Sequence, residues 1–296
     1  VRPSVPLLRL ALRLVRLGGA ALPERERRIV DHAARLRLTA PERAAEAEVD
    51  ALRRRLAASA ETVEVVDFGA GTRRGARPPV RPVREVVRRA ATGPAWGRFL
   101  FGLARAQRPR RVLELGTNLG LGAATLAAAL RLTEGEGGPR GRLVTLEGAP
   151  ALAALAAGHL AALGHTAGAG PDNRVRIEVG PFAETLGPVA EAEGPFDLVF
   201  VDGHHEEEAA LAYLRALRPH LAPGALVVLD DVEPGRPVRR AWRRLRAERA
   251  GAPAAYAGRY GLLFPAPGGH LGGAPAALAR ETGPAPEPAA ARPDGP

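Results

Sequence analysis

The chain predicts a doubly wound α/β fold built on a mostly parallel, seven-stranded sheet and preceded by a helical cap. Three observations carry that expectation. The segment 111–122, RVLELGTNLGLG, reads as a strand, a glycine turn and the start of an Ala/Leu-rich helix. From there to residue 248, strand-like and helix-like stretches alternate, which is the order of a parallel sheet with crossover helices. Two of the strands, FDLVFVD and ALVVLDD, are apolar almost throughout, as strands covered on both faces must be.

Taken in order, residues 5–17 form an amphipathic stretch with Arg9, Arg13 and Arg16 on one face. A helix packed on its own domain is preferred there over one lying on a membrane, because any surface helix is amphipathic. Residues 23–60 are helical and highly charged, with Thr39 and Pro41 marking a helix start. The next segment, VEVVDFGAGT over 63–72, imitates a ligand-binding turn through Asp67, Gly69 and Gly71. The TRRGARPPVRP that overlaps its end carries three prolines and cannot form the helix such a turn needs, so it is read as entry to a basic loop. Two helices broken at Gly93-Pro94 are expected over 83–106, with Trp96, Phe99 and Phe101 as core aromatics.

The repeating part then places strands at 111–115, 142–147, 174–179, 196–202 and 225–230, and a closing hairpin near 254–264. Helices are expected at 121–131, 150–163, 182–190, 206–218 and 237–248. The expected organisation is a cap and basic loop over 1–91, an α/β domain over 92–270 and a disordered Ala/Pro/Gly tail over 271–296.

Composition narrows the chemistry. The 296 residues include no cysteine, which removes disulfides, thiolate metal sites and cysteine nucleophiles. A net charge of +10 would ordinarily suggest nucleic acid, but every basic residue is arginine and the excess runs through an Ala-, Gly- and Pro-rich chain without one localised patch. Nucleic acid is therefore disfavoured as a partner. No apolar run reaches the ~18 residues of a membrane span, and the interspersed arginines disfavour a secretory leader, so a cytoplasmic location is expected.

The glycine turn has the order G-x-x-x-G-x-G, at Gly116, Gly120 and Gly122, and so lacks the pyrophosphate-cradling G-x-G-x-x-G. The strand at 142–147 ends in Glu147, placed to accept both hydroxyls of a ribose. A ribose-bearing ligand without a pyrophosphate fits that pair of features. Here the sequence resembles the Rossmann-like class I S-adenosylmethionine (SAM) methyltransferases, whose first motif is an acid-x-Gly-x-x-x-Gly turn and whose second strand ends in an acid. The resemblance implies a cofactor set of Glu114, Gly116, Thr117, Asn118, Gly120, Gly122, Glu147 and Gly148. It also implies that Phe182, after the third strand, walls the adenine pocket; Glu184 is read as a solvated helix residue.

In such sheets the ligand lies beyond the carboxyl ends of the strands. Three carboxylates gather there, Asp202 from one strand and Asp230 with Asp231 from the next. Crowded anions need a cation or protons, and carboxylate oxygens suit Mg²⁺ or another divalent cation. Capping of a following helix would explain one of the three at a time. VDGHH followed by LAPGALVVLDD resembles the Mg²⁺-dependent O-methyltransferases of the catechol and caffeoyl-CoA type, and also related bacterial methyltransferases of unassigned substrate. That resemblance implies metal ligation by Asp202, Asp230 and Asp231, with Asp202 also at the catalytic and cofactor sites. Where that family has a lysine base, three positions beyond the first Asp, this chain has His205. Histidine can serve as a base near neutrality.

The expected activity is SAM-dependent methylation of a small-molecule hydroxyl, assisted by a divalent cation, in a chain that can act as a homodimer. Two alternatives are an RNA-modifying methyltransferase, for which the N-P-P-[YF] amino-methylation motif is missing, and a non-catalytic SAM-binding or scaffold protein.

Overall fold

The computed structural model describes residues 22–35, 37–66, 79–165, 173–248 and 253–265. The stretch 5–17, the Asp67–Gly71 imitation of a turn and the tail over 271–296 lie outside the described residues. Helices α1 (Glu24–Ala33) and α2 (Ala40–Ala58) come first. Thr39 caps α2 with a reciprocal capping box: its hydroxyl accepts the Glu42 N–H, and the Glu42 carboxylate accepts the Thr39 N–H at 2.8 Å. A two-stranded ribbon, β1 (Thr62–Glu64) with β2 (Val80–Pro82), leads into α3 (Val83–Ala90) and α4 (Pro94–Gln107). Pro94 opens α4 at a position where no N–H is needed, which is why the helical pattern breaks at Gly93.

The α/β part follows as β3 (Arg111–Leu115), α5 (Leu121–Gly135), β4 (Arg142–Glu147), α6 (Pro150–Ala162), β5 (Val175–Val179) and α7 (Phe182–Glu193). It continues as β6 (Phe196–Val201), α8 (Glu207–Leu217), β7 (Leu221–Leu229), α9 (Pro237–Glu248), β8 (Ala254–Ala257) and β9 (Tyr260–Leu263). The seven-stranded sheet has the order β5-β4-β3-β6-β7-β9-β8, with only the β9 and β8 pairings antiparallel. Chain order reverses between β3 and β6, and this switch point is where the sheet opens a crevice.

Strand side chains alternate between two apolar layers. Leu113, Leu115, Val144, Leu146, Val199 and Val201 pack with α7, α8 and α9; Val112, Leu143, Leu198 and Phe200 pack with α4, α5 and α6. The second layer also contains Ile29 and Val30 of α1 and Leu52 and Leu56 of α2, so the N-terminal helices share the core of the sheet. Three ion pairs fasten α2 across that layer, Glu42–Arg105, Glu46–Arg98 and Glu48–Arg131. No helix among the described residues is long and apolar enough to cross a membrane.

Candidate functional site

The turn after β3 is shaped by three contacts. Gly116 has φ +105° and donates its N–H to the Leu146 carbonyl at 3.0 Å. Asn118 is also left-handed, at φ +50°, a conformation asparagine tolerates better than most residues. Glu147, at the end of the neighbouring strand, accepts the Asn118 N–H at 2.7 Å and the Ala149 N–H at 2.9 Å. Burial raises the pKa of Glu147, and the backbone N–H bonds oppose that rise.

Beneath the turn lies a buried polar line. Glu114 is fully buried and accepts the Thr145 hydroxyl at 2.6 Å, and the Thr145 and Thr117 hydroxyls are 2.6 Å apart. Burial pushes the Glu114 carboxyl up to about 8, with the nearby charge of Glu147 adding to the rise. A side chain at Gly122 would collide with Glu114, so this glycine makes room for an acid inside the sheet layer. Gly120 likewise faces Ala156 of α6.

Above the turn is a cleft of about 380 Å³. Of the residues singled out in the sequence, Gly116, Asn118, Glu147, Gly148, Phe182, Asp202 and His205 line it. Glu114, Thr117, Gly120 and Gly122 lie underneath and set the turn's shape through packing. Phe182, at the start of α7, packs edge-on against Tyr213 of α8 with ring centres 5.7 Å apart. The opposite wall comes from the cap: Val65, Val66, Pro79 and Arg81 of the ribbon, and Val86 and Arg89 of α3. Both arginines pair with Glu85.

The acidic trio is brought together, but around an arginine. Arg259, in the turn between β8 and β9, makes a two-pronged ion pair with fully buried Asp230, its Nη2 donating to Oδ2 at 2.5 Å and its Nε to Oδ1. The same Nη2 lies 3.2 Å from Asp231 Oδ1. Asp231 Oδ2 is 3.5 Å from His205 Nδ1. Asp202 accepts the Thr92 hydroxyl at 3.2 Å, and its pKa is driven well above the ordinary carboxylate range by burial and then by Asp230 beside it. His204, adjacent to His205 and also lining the cleft, has φ +51° and bonds the Tyr213 hydroxyl at 2.7 Å.

Reading the sequence missed Arg259, Thr92 and Tyr213. Among the 42 basic residues nothing marks Arg259 out. A glycine immediately before it, Gly258 at φ +78°, is the one local sign of a tight hairpin placing it beside β7.

In a Rossmann-like sheet the cleft at the switch point is where nucleotide-type ligands bind. Residues 113–232 match the family described as a methyltransferase domain. A catechol O-methyltransferase of Mycobacterium tuberculosis is 39% identical over 144 residues, covering 49% of this chain and 58% of that protein. One from Niastella koreensis is 32% identical over 143 residues, covering 48% and 58% respectively. This chain therefore spans less than two thirds of the length of these curated relatives. An SAH-bound methyltransferase of Podospora anserina shares the fold at a TM-score of 0.51 and 17% identity, covering 83% of this chain and 99% of that one. Over residues 113–232 the chain is thus similar to methyltransferase domains.

Proposed function

We propose that the chain binds SAM in this cleft and methylates a hydroxyl oxygen of a small molecule. The observation that carries the reading is the make-up of the cleft's two ends. At one end, the Asn118 side-chain oxygen is buried without a hydrogen-bond partner, and Glu147 stands beside it on the glycine turn. A buried amide oxygen with no partner costs free energy unless a ligand supplies a donor. At the other end, His205 faces Asp231. A cofactor with an amino group and a ribose fits the first end, and an ionisable acceptor fits the second.

When bound, SAM supplies an electrophilic sulfonium methyl group. The chain's own residues supply position and a base. Glu147 holds the ribose hydroxyls while its N–H bonds keep the turn in place, and Phe182 gives the base an apolar wall. With Nδ1 turned to Asp231, His205 Nε2 takes the acceptor's hydroxyl proton, and the Asp231 carboxylate steadies the imidazolium that results. The cap's ribbon and α3 close the acceptor side and restrict water.

The trio does not fit a divalent cation. Both oxygens of Asp230 are already engaged, Oδ2 by Arg259 and Oδ1 by Arg259 and by the Asp231 N–H at 2.6 Å. Among the described residues, no group of three His, Cys, Asp or Glu side chains is arranged to hold a metal ion.

Calorimetry with SAM, and SAH release in the presence of catechol and simple phenols, test the proposal. SAM binding should be lost or weakened by ~1–3 kcal/mol in Glu147→Ala, which removes charged hydrogen bonds. A folded wild-type protein with no affinity for SAM or SAH would reject it.

A further inference from the structure

We propose that Arg259 is a resident cation filling the place between the β6 and β7 strand ends where a divalent metal would otherwise be needed, and that methyl transfer here runs without metal. The inference rests on the methyltransferase reading above for its catalytic part and on geometry alone for its cation part.

The placement is fixed at several points. Gly258 and Arg259 form the loop joining β8 to β9, since Ala257 and Tyr260 are paired. Antiparallel pairing of β9 with β7 sets Gly261 opposite Leu229, which delivers that loop to the carboxyl end of β7. The Arg259 carbonyl accepts the Val232 N–H at 2.9 Å, tying the loop to the residue after the acidic pair. A planar guanidinium then engages both oxygens of Asp230 and reaches Asp231. A hard cation would need the same oxygens at ~2.0–2.6 Å, and two cations cannot share those lone pairs.

Two consequences separate this arrangement from a metal site. The guanidinium offsets part of the charge of Asp230 and Asp231 while leaving Asp231 within 3.5 Å of His205, so Arg259 is a positioning residue acting through Asp231. It also offers no open coordination position to a substrate, so the acceptor needs one ionisable hydroxyl and not a vicinal pair able to chelate.

Binding of Mn²⁺ and Mg²⁺ is measured directly, by calorimetry and by the Mn²⁺ electron paramagnetic resonance signal, on wild type, Arg259→Lys and Arg259→Ala; SAM binding and turnover are recorded separately. Wild type should bind neither ion, and should keep full turnover in excess chelator with a monohydric phenol. Arg259→Ala frees the Asp230 and Asp231 oxygens and should gain Mn²⁺ binding, with turnover reduced ~10- to 100-fold, as for other groups that orient a catalytic residue through a second. Arg259→Lys keeps the charge but not the fork, and should bind no ion while retaining an intermediate rate.

Stoichiometric Mn²⁺ binding to wild type, chelator-sensitive turnover restored by Mg²⁺, or acceptance of vicinal diols alone would overturn the proposal. So would a folded Arg259→Ala that neither binds Mn²⁺ nor loses rate. If Arg259→Ala fails to fold, wild type and Arg259→Lys still decide it. Absence of SAM binding in wild type would reject the methyltransferase reading, while the ion-binding results would still test the resident cation.

Discussion

Gly116 and Asp202 meet backbone to backbone across the switch point: a Cβ on Gly116 would stand 2.8 Å from the Asp202 carbonyl carbon and closer still to its oxygen. The two strands are stitched at the same level, the Asp202 N–H donating to the Leu115 carbonyl at 2.8 Å. The glycine is thus required twice, by φ +105° and by the space Asp202 occupies. Gly116→Ala should cost at least ~2 kcal/mol through left-handed strain and overpacking. It should also weaken SAM more than a destabilising change elsewhere of equal size. Urea unfolding alongside SAM titration checks this, and unchanged affinity would show that the turn tolerates displacement.

Much of this architecture was legible in the sequence because it is written in local patterns. The apolar strands, the glycine turn and Gly93-Pro94 each fix their own element, and β3, β4 and α9 fall where the pattern puts them. The start of β7 is an exception. It begins at Leu221, before Pro223 and Gly224, because pairing with β6 continues past an irregularity between Phe196 and Leu198. Crowding of Asp202, Asp230 and Asp231 could also be read, since successive parallel strands bring their ends together. Their counter-charge could not. Arg259 arrives on an antiparallel return, and Thr92 reaches Asp202 from 110 positions away, so neither contact has a sequence spacing that reports it. Glu114 has the motif position of a cofactor residue, yet its side chain points into the layer shared with Thr145 and Gly122.

That buried glutamate predicts a pH effect on stability. Glu114 keeps its proton in the folded chain up to about 8, whereas an ordinary glutamate loses it near 4.5. A raised carboxyl pKa gives a contribution that is whole below the lower value and is lost as pH climbs toward the higher one. The loss is on the order of 4 kcal/mol across that window. Glu114→Gln cannot ionise, so its unfolding free energy should fall less between pH 5 and 8 than that of wild type. Parallel denaturation series for the two proteins measure the difference directly, and equal slopes would reject a neutral Glu114.

The N-terminal helices should behave as core. Gly102 of α4 lies so close to α1 that a Cβ would approach the Ala33 Cα to 2.6 Å, and Leu52 of α2 is 1% exposed. Leu52→Ala should therefore cost ~2–5 kcal/mol, the range for an emptied leucine site. Deleting residues 1–60 should abolish cooperative unfolding, SAM binding and turnover together. A soluble truncation that still binds SAM would mean that the sheet is covered well enough without α1 and α2.

The pair His205 and Asp231 separates base catalysis from mere alignment of donor and acceptor. His205 is 45% exposed on its side chain and faces the cleft, whereas Asp231 is nearly enclosed and held at φ +57°. That enclosure lets Asp231 orient the ring without touching the acceptor. His205→Ala should lower kcat by ~10²- to 10⁴-fold, the usual worth of a general base, with SAM affinity unchanged if Glu147 and the turn after β3 hold the cofactor as proposed. Asp231→Asn keeps the shape but removes the charge that steadies an imidazolium, and should cost ~10- to 100-fold. Acceptors whose hydroxyl is already ionised at the assay pH need no base, so a nitro-substituted phenol should be methylated at nearly the wild-type rate by His205→Ala. An equal deficit on ionised and un-ionised phenols would instead assign His205 to positioning alone.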